Sequence, residues 1–208
     1  MAKHKKYLKT SIWFKEKIHD PYQVIAAFFD FADVAMHRQD MHDMVMSAGS
    51  DKCFKGCTWS HLEERFEKLE SLINAAWLIG KKGQRKENRL EIRKDDIKNP
   101  NLYFGVNDSF TVWEYFPRAL SVEEFIDPYS VFKKFFQFKT LDSWKLTMKC
   151  LLRYAAADES IGDDEDFFDT YAIYNHLVRL IEAAHLIDVR EVTHIGGSIK
   201  HRLKKKVL

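Results

Sequence analysis

Proline and glycine are scarce, four and eight in 208 residues. An all-β sandwich or barrel needs a turn roughly every 8–12 residues, built largely from these two, so the shortage favours long helices. Cysteine is scarcer still: Cys53, Cys57 and Cys150 are too few, and odd in number, for a disulfide framework. No apolar run approaches the roughly 20 residues that span a bilayer, so no membrane role is expected. The first residues, MAKHKKYLKTSIWFKEK, are basic but carry neither an apolar segment nor a small-residue cleavage site. The expectation is a cytoplasmic chain that is not exported by a standard signal. A glycine-rich phosphate loop, a nucleophile elbow and a Rossmann fingerprint are all missing, and Gly196-Gly197 stands alone. Nothing in the sequence therefore fixes a reaction.

What is present is an ordinary globular balance, 46% hydrophobic and 31% charged, which argues against a disordered chain. Sixteen phenylalanines predict an aromatic core.

The clearest feature is self-similarity. Residues 20–31, DPYQVIAAFFDF, and 127–138, DPYSVFKKFFQF, agree at seven of twelve positions at an offset of 107. Residues 71–80, SLINAAWLIG, and 179–188, RLIEAAHLID, agree at six of ten at an offset of 108. Two blocks in one order at nearly one spacing predict an internal duplication, with repeat 1 at 20–80, repeat 2 at 127–187, a connection at 81–126 and basic tails at 1–18 and 188–208. The whole of 1–208 is expected to form one domain.

Each block has a helical reading. Asp-Pro is a helix start, with the carboxylate accepting from a free backbone N–H and proline spending no N–H at the first position. In repeat 1 Val24, Phe28, Phe31 and Ala35 recur at helical spacing, so one helix is expected from Asp20 past Met36. In repeat 2 a turn near 138–142 is expected to break it. Ser60-His61-Leu62-Glu63 and Ser121-Val122-Glu123-Glu124 read as capping boxes, and Gly80 as a helix stop. Asp163 to Asp166 would favour the N-terminal dipole of the last helix. The predicted fold is all-α: two helical hairpins packed as a pseudo-two-fold four-helix core, with either a short β-hairpin or an irregular aromatic plug within 100–117.

Net charge is only +2 but unevenly spread. Residues 1–18 hold six lysines against one glutamate, and 81–98 hold eight basic residues against four acidic ones. Such segments flanking acidic bodies suit an anionic partner, nucleic acid among them, or simply a solvated surface. The binding candidates are Lys81, Lys82, Arg85, Lys86, Arg202, Lys204, Lys205 and Lys206. A protein partner or a homo-oligomer fits the same reading of a binding or regulatory module.

Candidate chemistry sits where the copies differ. Asp33, His37, Asp40 and His42 form the densest polar cluster, and Asp33 and His37 share a helix face, a donor set suited to a divalent metal, although no cofactor is required by any motif. Cys53-x3-Cys57-x3-His61 offers three zinc-type ligands at an unusual spacing. Glu182-x2-His185 fits half of a ferritin-like di-iron signature, but Asn74 and Trp77 stand at the matching positions of repeat 1. Arg179-x5-His185 resembles, over seven residues, the Arg-to-His element of HEPN-type helical ribonucleases, with Leu180 where a polar residue usually follows the arginine. That resemblance implies phosphate binding by Arg179 and acid/base chemistry by His185. The alternative function is thus a helical-bundle hydrolase or nuclease.

Overall fold

The computed structural model describes residues 9–10, 16–50, 54, 58–82, 92–104, 111–157, 160–161, 169–195 and 198–200. The protein is mainly helical. Seven α-helices follow in order: α1 (Pro21–Phe31), α2 (Val34–Ala48), α3 (Trp59–Lys82), the short α4 (Val122–Ile126), α5 (Tyr129–Phe138), α6 (Leu141–Ala155) and α7 (Thr170–Glu191). Two antiparallel pairs of two-residue strands flank them, β1 (Lys9–Thr10) with β2 (Glu16–Lys17), and β3 (His194–Ile195) with β4 (Ser198–Ile199).

The Asp-Pro start is realised at α1, where Asp20 Oδ1 accepts from Tyr22 N at 3.0 Å and Pro21 fills the first turn. From Pro21 to Phe28 all residues but Gln23 are buried, so α1 is enclosed on nearly every side. The expected long first helix does not form. Ala32 and Asp33 are extended, and a new helix begins at Val34. The break matches the one between Phe138 and Leu141, where Thr140 caps α6 by accepting from Ser143 N at 3.2 Å. Each half thus contains three helices where the sequence predicts a hairpin, and the core has six main helices in place of four.

The joint between the first two helices of each half is built the same way. The Phe28 carbonyl lies in the last turn of α1, and His37 Nε2 meets it at 3.0 Å. A carbonyl only accepts, so Nε2 carries the proton. The His37 ring stacks on Phe28 at 3.8 Å. In the second half Trp144 Nε1 donates to the Phe135 carbonyl at 3.1 Å, and its ring stacks on Phe135 at 4.0 Å. Both residue pairs are related by the 107-residue offset. Tyr22 and Tyr129, related by the same offset, meet hydroxyl to hydroxyl at 3.3 Å.

The helix neighbours follow suit. α1 packs on α3 and α7, α5 on α7 and α3, and α2 on α6; α2 also touches α7, as α6 touches α3. Exchanging α1 with α5, α2 with α6 and α3 with α7 leaves this pattern unchanged. One hydrophobic cluster draws on all seven helices, and Ala75, Ala76, Ala183 and Ala184 are fully buried within the structure.

Several local expectations change. α3 begins at Trp59, so Ser60 lies inside its first turn, and Gly80 lies within the helix, which runs on to Lys82. The Ser121 capping box forms as read, with Glu124 Oε2 accepting from Ser121 N at 3.0 Å. Asp127 closes α4, and α5 starts at Tyr129. The expected β-hairpin is absent from the described part of 100–117: Pro100–Leu102 and Val112–Tyr115 are 3-10 turns packed by aromatic side chains. Asp163 to Asp166 lie outside the described residues; α7 is capped by Asp169, which accepts from Ala172 N at 2.8 Å.

Candidate functional site

The His/Asp cluster of the first half does not converge on a metal site. Asp33 accepts from the Tyr115 hydroxyl at 3.1 Å, Asp40 is ion-paired with Arg65, and His42 is exposed beside the Tyr174 ring. His37 and Asp40 do line one cavity, but it holds about 10 Å³, and Arg65 and Lys68 line it too. Two cations stand where a metal ion would, and the space suits at most a single water. Among the described residues no group of three or more His, Cys, Asp or Glu side chains could hold a metal ion. Cys53 and Cys57 lie outside the described residues, and His61 is exposed.

Burial makes His37 a structural group. It lowers the imidazole pKa from 6.5 to about 4, against the Phe28 carbonyl, which favours a protonated ring, and with Lys68 and Arg65 adding to the depression. Above pH 6.5 the ring is neutral in both folded and unfolded chains. Between pH 6.5 and about 4 the unfolded chain takes up a proton that the folded one refuses, so stability falls with pH. The shift corresponds to about 3 kcal/mol over that window. We expect His37→Phe to lose about 1–2 kcal/mol at pH 7.5, where the Phe28 carbonyl loses its donor, and to be less acid-sensitive below pH 6.5. Urea unfolding at pH 7.5 and 4.5 reads both effects; a variant as acid-sensitive as the wild type would refute the assignment.

The structure does not bring Arg179 and His185 together. Six residues apart on α7, they point about 120° away from each other around the axis. Arg179 is ion-paired with Glu124. His185 is buried, and its Nε2 donates to the Tyr103 carbonyl at 2.8 Å. Its place beside Glu182 is no half of a di-iron site either, because Glu182 is spent on other donors.

Those donors define a buried ionic seam that sequence reasoning missed. Glu182, fully buried on α7, accepts from Arg38 Nη1 at 2.9 Å, Arg118 N at 2.9 Å and Ala119 N at 2.8 Å. Arg38 on α2 also donates to the Phe116 carbonyl at 3.0 Å and to that of Glu114. One charge pair therefore fastens residues 114–119 to two helices. Glu124, also fully buried, holds Lys134 at 2.8 Å as well as Arg179. Burial pushes the Glu124 carboxyl up, but Lys134, the Ser121 amide and Arg179 together outweigh it and hold the group below the usual carboxylate range. Arg190 completes the seam: Nε donates to the Leu102 carbonyl at 3.0 Å and Nη1 to that of Phe125 at 2.6 Å, with the guanidinium over the Phe125 ring. Burial lowers its pKa to about 10, with Glu191 opposing.

The open feature lies elsewhere. Between the end of α3 and α5 is a cleft of about 520 Å³. Its walls are Trp77, Tyr129, Phe132 and Phe136, with the exposed Lys81, Lys133 and Gln137 at the margin. Lys81 Nζ sits 3.8 Å from the centre of the Trp77 ring. Burial, then a hydrogen bond to Glu191, pushes the Tyr129 phenol above its ordinary range, so it stays protonated. Of the basic binding candidates, Lys81 stands at this cleft and Lys82 ends α3. Arg85, Lys86, Arg202, Lys204, Lys205 and Lys206 lie outside the described residues. The aromatic walls went unread because Trp77 and Phe136 are more than fifty residues apart; only the Trp77-to-Lys81 spacing of four hinted at them.

No protein family, curated protein or solved structure matches the chain. Among the described residues no helix is long and apolar enough to cross a membrane.

Proposed function

We propose that the protein is a non-enzymatic binding module and that the α3/α5 cleft holds an anionic partner. The observation that carries this is the cleft itself. Its volume falls within the roughly 300–1,000 Å³ of ligand sites, its walls are aromatic, and its charged margin is lysine on both helices. Lys81 also opens the basic run 81–98, so positive charge continues along the chain from the cleft. Glutamates of the buried seam are consumed by internal donors, whereas at the cleft Lys81 and Lys133 face solvent beside apolar surface. The hydrolase alternative finds no support, since Arg179, His185 and the His/Asp cluster are each engaged structurally.

Lysine contacts to a polyanion weaken steeply with salt. We expect both a labelled oligothymidylate and labelled polyglutamate to be usable anionic probes, at least one of them binding at about 50 mM salt and releasing at about 300 mM. The double substitution Lys81→Glu with Lys133→Glu should weaken that binding about tenfold or more, as two reversed charges convert attraction to repulsion. Fluorescence anisotropy reads it. An unchanged affinity in the double variant, or no binding of either polyanion at low salt, overturns the reading.

A further inference from the structure

The cleft has a filled counterpart in the same molecule, at the junction of α7 and α1. The offsets of 107 and 108 relate Trp77 to His185, Phe136 to Phe29, Phe132 to Ile25 and Tyr129 to Tyr22. At α7/α1 the chain covers the junction with its own Leu102, Tyr103 and Tyr115. His185 donates to the Tyr103 carbonyl at 2.8 Å, and Arg190 donates to the Leu102 carbonyl at 3.0 Å. The Phe29 ring meets His185 at 5.2 Å and the Tyr115 ring lies 6.1 Å from it. Backbone carbonyls and aromatic side chains carried by the 3-10 turns at Pro100–Leu102 and Val112–Tyr115 are thus what this junction accepts.

At α3/α5 the receiving groups recur. Trp77 replaces His185, as Trp144 replaces His37 at the helix joints, where both rings donate N–H to a backbone carbonyl. Trp77 Nε1 makes no hydrogen bond to any described residue. The difference is charge. Lys81 occupies the place of Val189 and Lys133 that of the buried Ala26, so the open cleft adds two cations that the filled one lacks.

We infer that the α3/α5 cleft binds a segment of a partner protein that carries an aromatic side chain flanked by acidic residues. The backbone carbonyl beside the aromatic residue accepts from Trp77 Nε1, the ring lies against Phe132 and Phe136, and the acidic flanks face Lys81 and Lys133. The inference rests on the anion-binding reading above and specifies its partner. Main-chain recognition supplies a general affinity, and the pocket and its charges supply selectivity.

The test uses the full chain and three labelled peptides: Glu-Asp-Leu-Tyr-Phe-Asp-Glu, its lysine-flanked form Lys-Lys-Leu-Tyr-Phe-Lys-Lys, and Glu-Asp-Ala-Ala-Ala-Asp-Glu. The acidic aromatic peptide should bind about tenfold or more tightly than either control, and Trp77→Ala and Lys133→Glu should each erode that preference. Lys133 is exposed, so its substitution keeps the test sound where Trp77→Ala lowers stability. Equal binding of the three peptides, or an affinity unmoved by Lys133→Glu, overturns the inference. If oligothymidylate binds through Lys81 and Lys133 while the acidic aromatic peptide does not, the inference falls and the anion-binding reading stands. If no probe binds, both fall. Self-association in sedimentation, abolished by Trp77→Ala without peptide, would put a second copy in the cleft and also overturn it.

Discussion

Replacing Glu182 with alanine should cost about 3–5 kcal/mol, because it strands a charge and two amides at once. The carboxylate is fully buried, and Arg38, whose side chain is 11% exposed, is its ion-pair partner. Breaking such a pair from one side leaves the other charge without compensation in a medium that solvates it poorly. The Arg118 and Ala119 amides lose their acceptor in the same stroke. A second substitution separates these contributions. The double variant Glu182→Met with Arg38→Met removes both charges, and apolar replacement of a whole buried pair is often close to neutral. Here it should recover only part of the loss, since the two amides still lack a partner at about 1–3 kcal/mol each, and the carbonyls of Glu114 and Phe116 lose Arg38. A urea-unfolding cycle over the four proteins measures the coupling. Full recovery in the double variant would show that the amides find water and that the seam is only an ion pair.

A comparable loss is expected at Trp144. Its side chain is fully buried, stacked on Phe135 and within 6.0 Å of the Phe138 ring. Trp144→Ala removes the largest side chain of the joint between α5 and α6, and large-to-small changes of this kind cost about 3–5 kcal/mol. Trp144→Phe keeps the stacked ring and removes the donor, so it isolates the bond to the Phe135 carbonyl at about 1–2 kcal/mol. Trp144→His places the residue used at the equivalent joint of the first half and should be the mildest of the three at neutral pH. It should also import acid sensitivity, since an imidazole buried there would resist protonation as His37 does. Denaturant midpoints at pH 7.5 and 4.5 check the order. A Trp144→Ala variant within 1 kcal/mol of the wild type would mean that the joint is not a supporting element.

These two sites differ in how far the chain announced them. Helix content was legible from the shortage of glycine and proline and from the spacing of Val24, Phe28 and the matching Val131 and Phe135. The start at Asp20-Pro21 and the box at Ser121 and Glu124 were legible because capping is local: donor and acceptor lie within three residues. The interruption at Ala32-Asp33 was not. An apolar pattern that runs on through Ala35 and Met36 reads as one helix, whereas α1 ends at the extended Ala32 and Asp33, and the His37 ring folds back onto the Phe28 carbonyl. That contact exists only once α2 has turned.

Polar side chains were the least legible. Asp33, His37, Asp40 and His42 looked like one cluster because they are close in sequence, yet Tyr115, Phe28, Arg65 and Tyr174 draw them in separate directions. Glu182 looked like an orphan of a metal motif, and its partners Arg38, Arg118 and Ala119 lie 144, 64 and 63 residues away. A carboxylate's role depends on which donors reach it, and no local pattern encodes those.

By itself, then, the amino-acid sequence determined the helical class, the caps at Asp20 and Ser121 and the resemblance between residues 20–31 and 127–138, all of which depend on periodicity and near neighbours. Only the tertiary structure decided that each half is three helices, that the charged residues of α2, α4 and α7 knit a buried seam, and that Trp77 and Phe136 leave a cleft open where His185 and Phe29 are covered. The seam between α2 and α7 and the cleft depend on which surfaces meet across more than fifty residues of chain, where burial and solvation, rather than local propensity, set the energy.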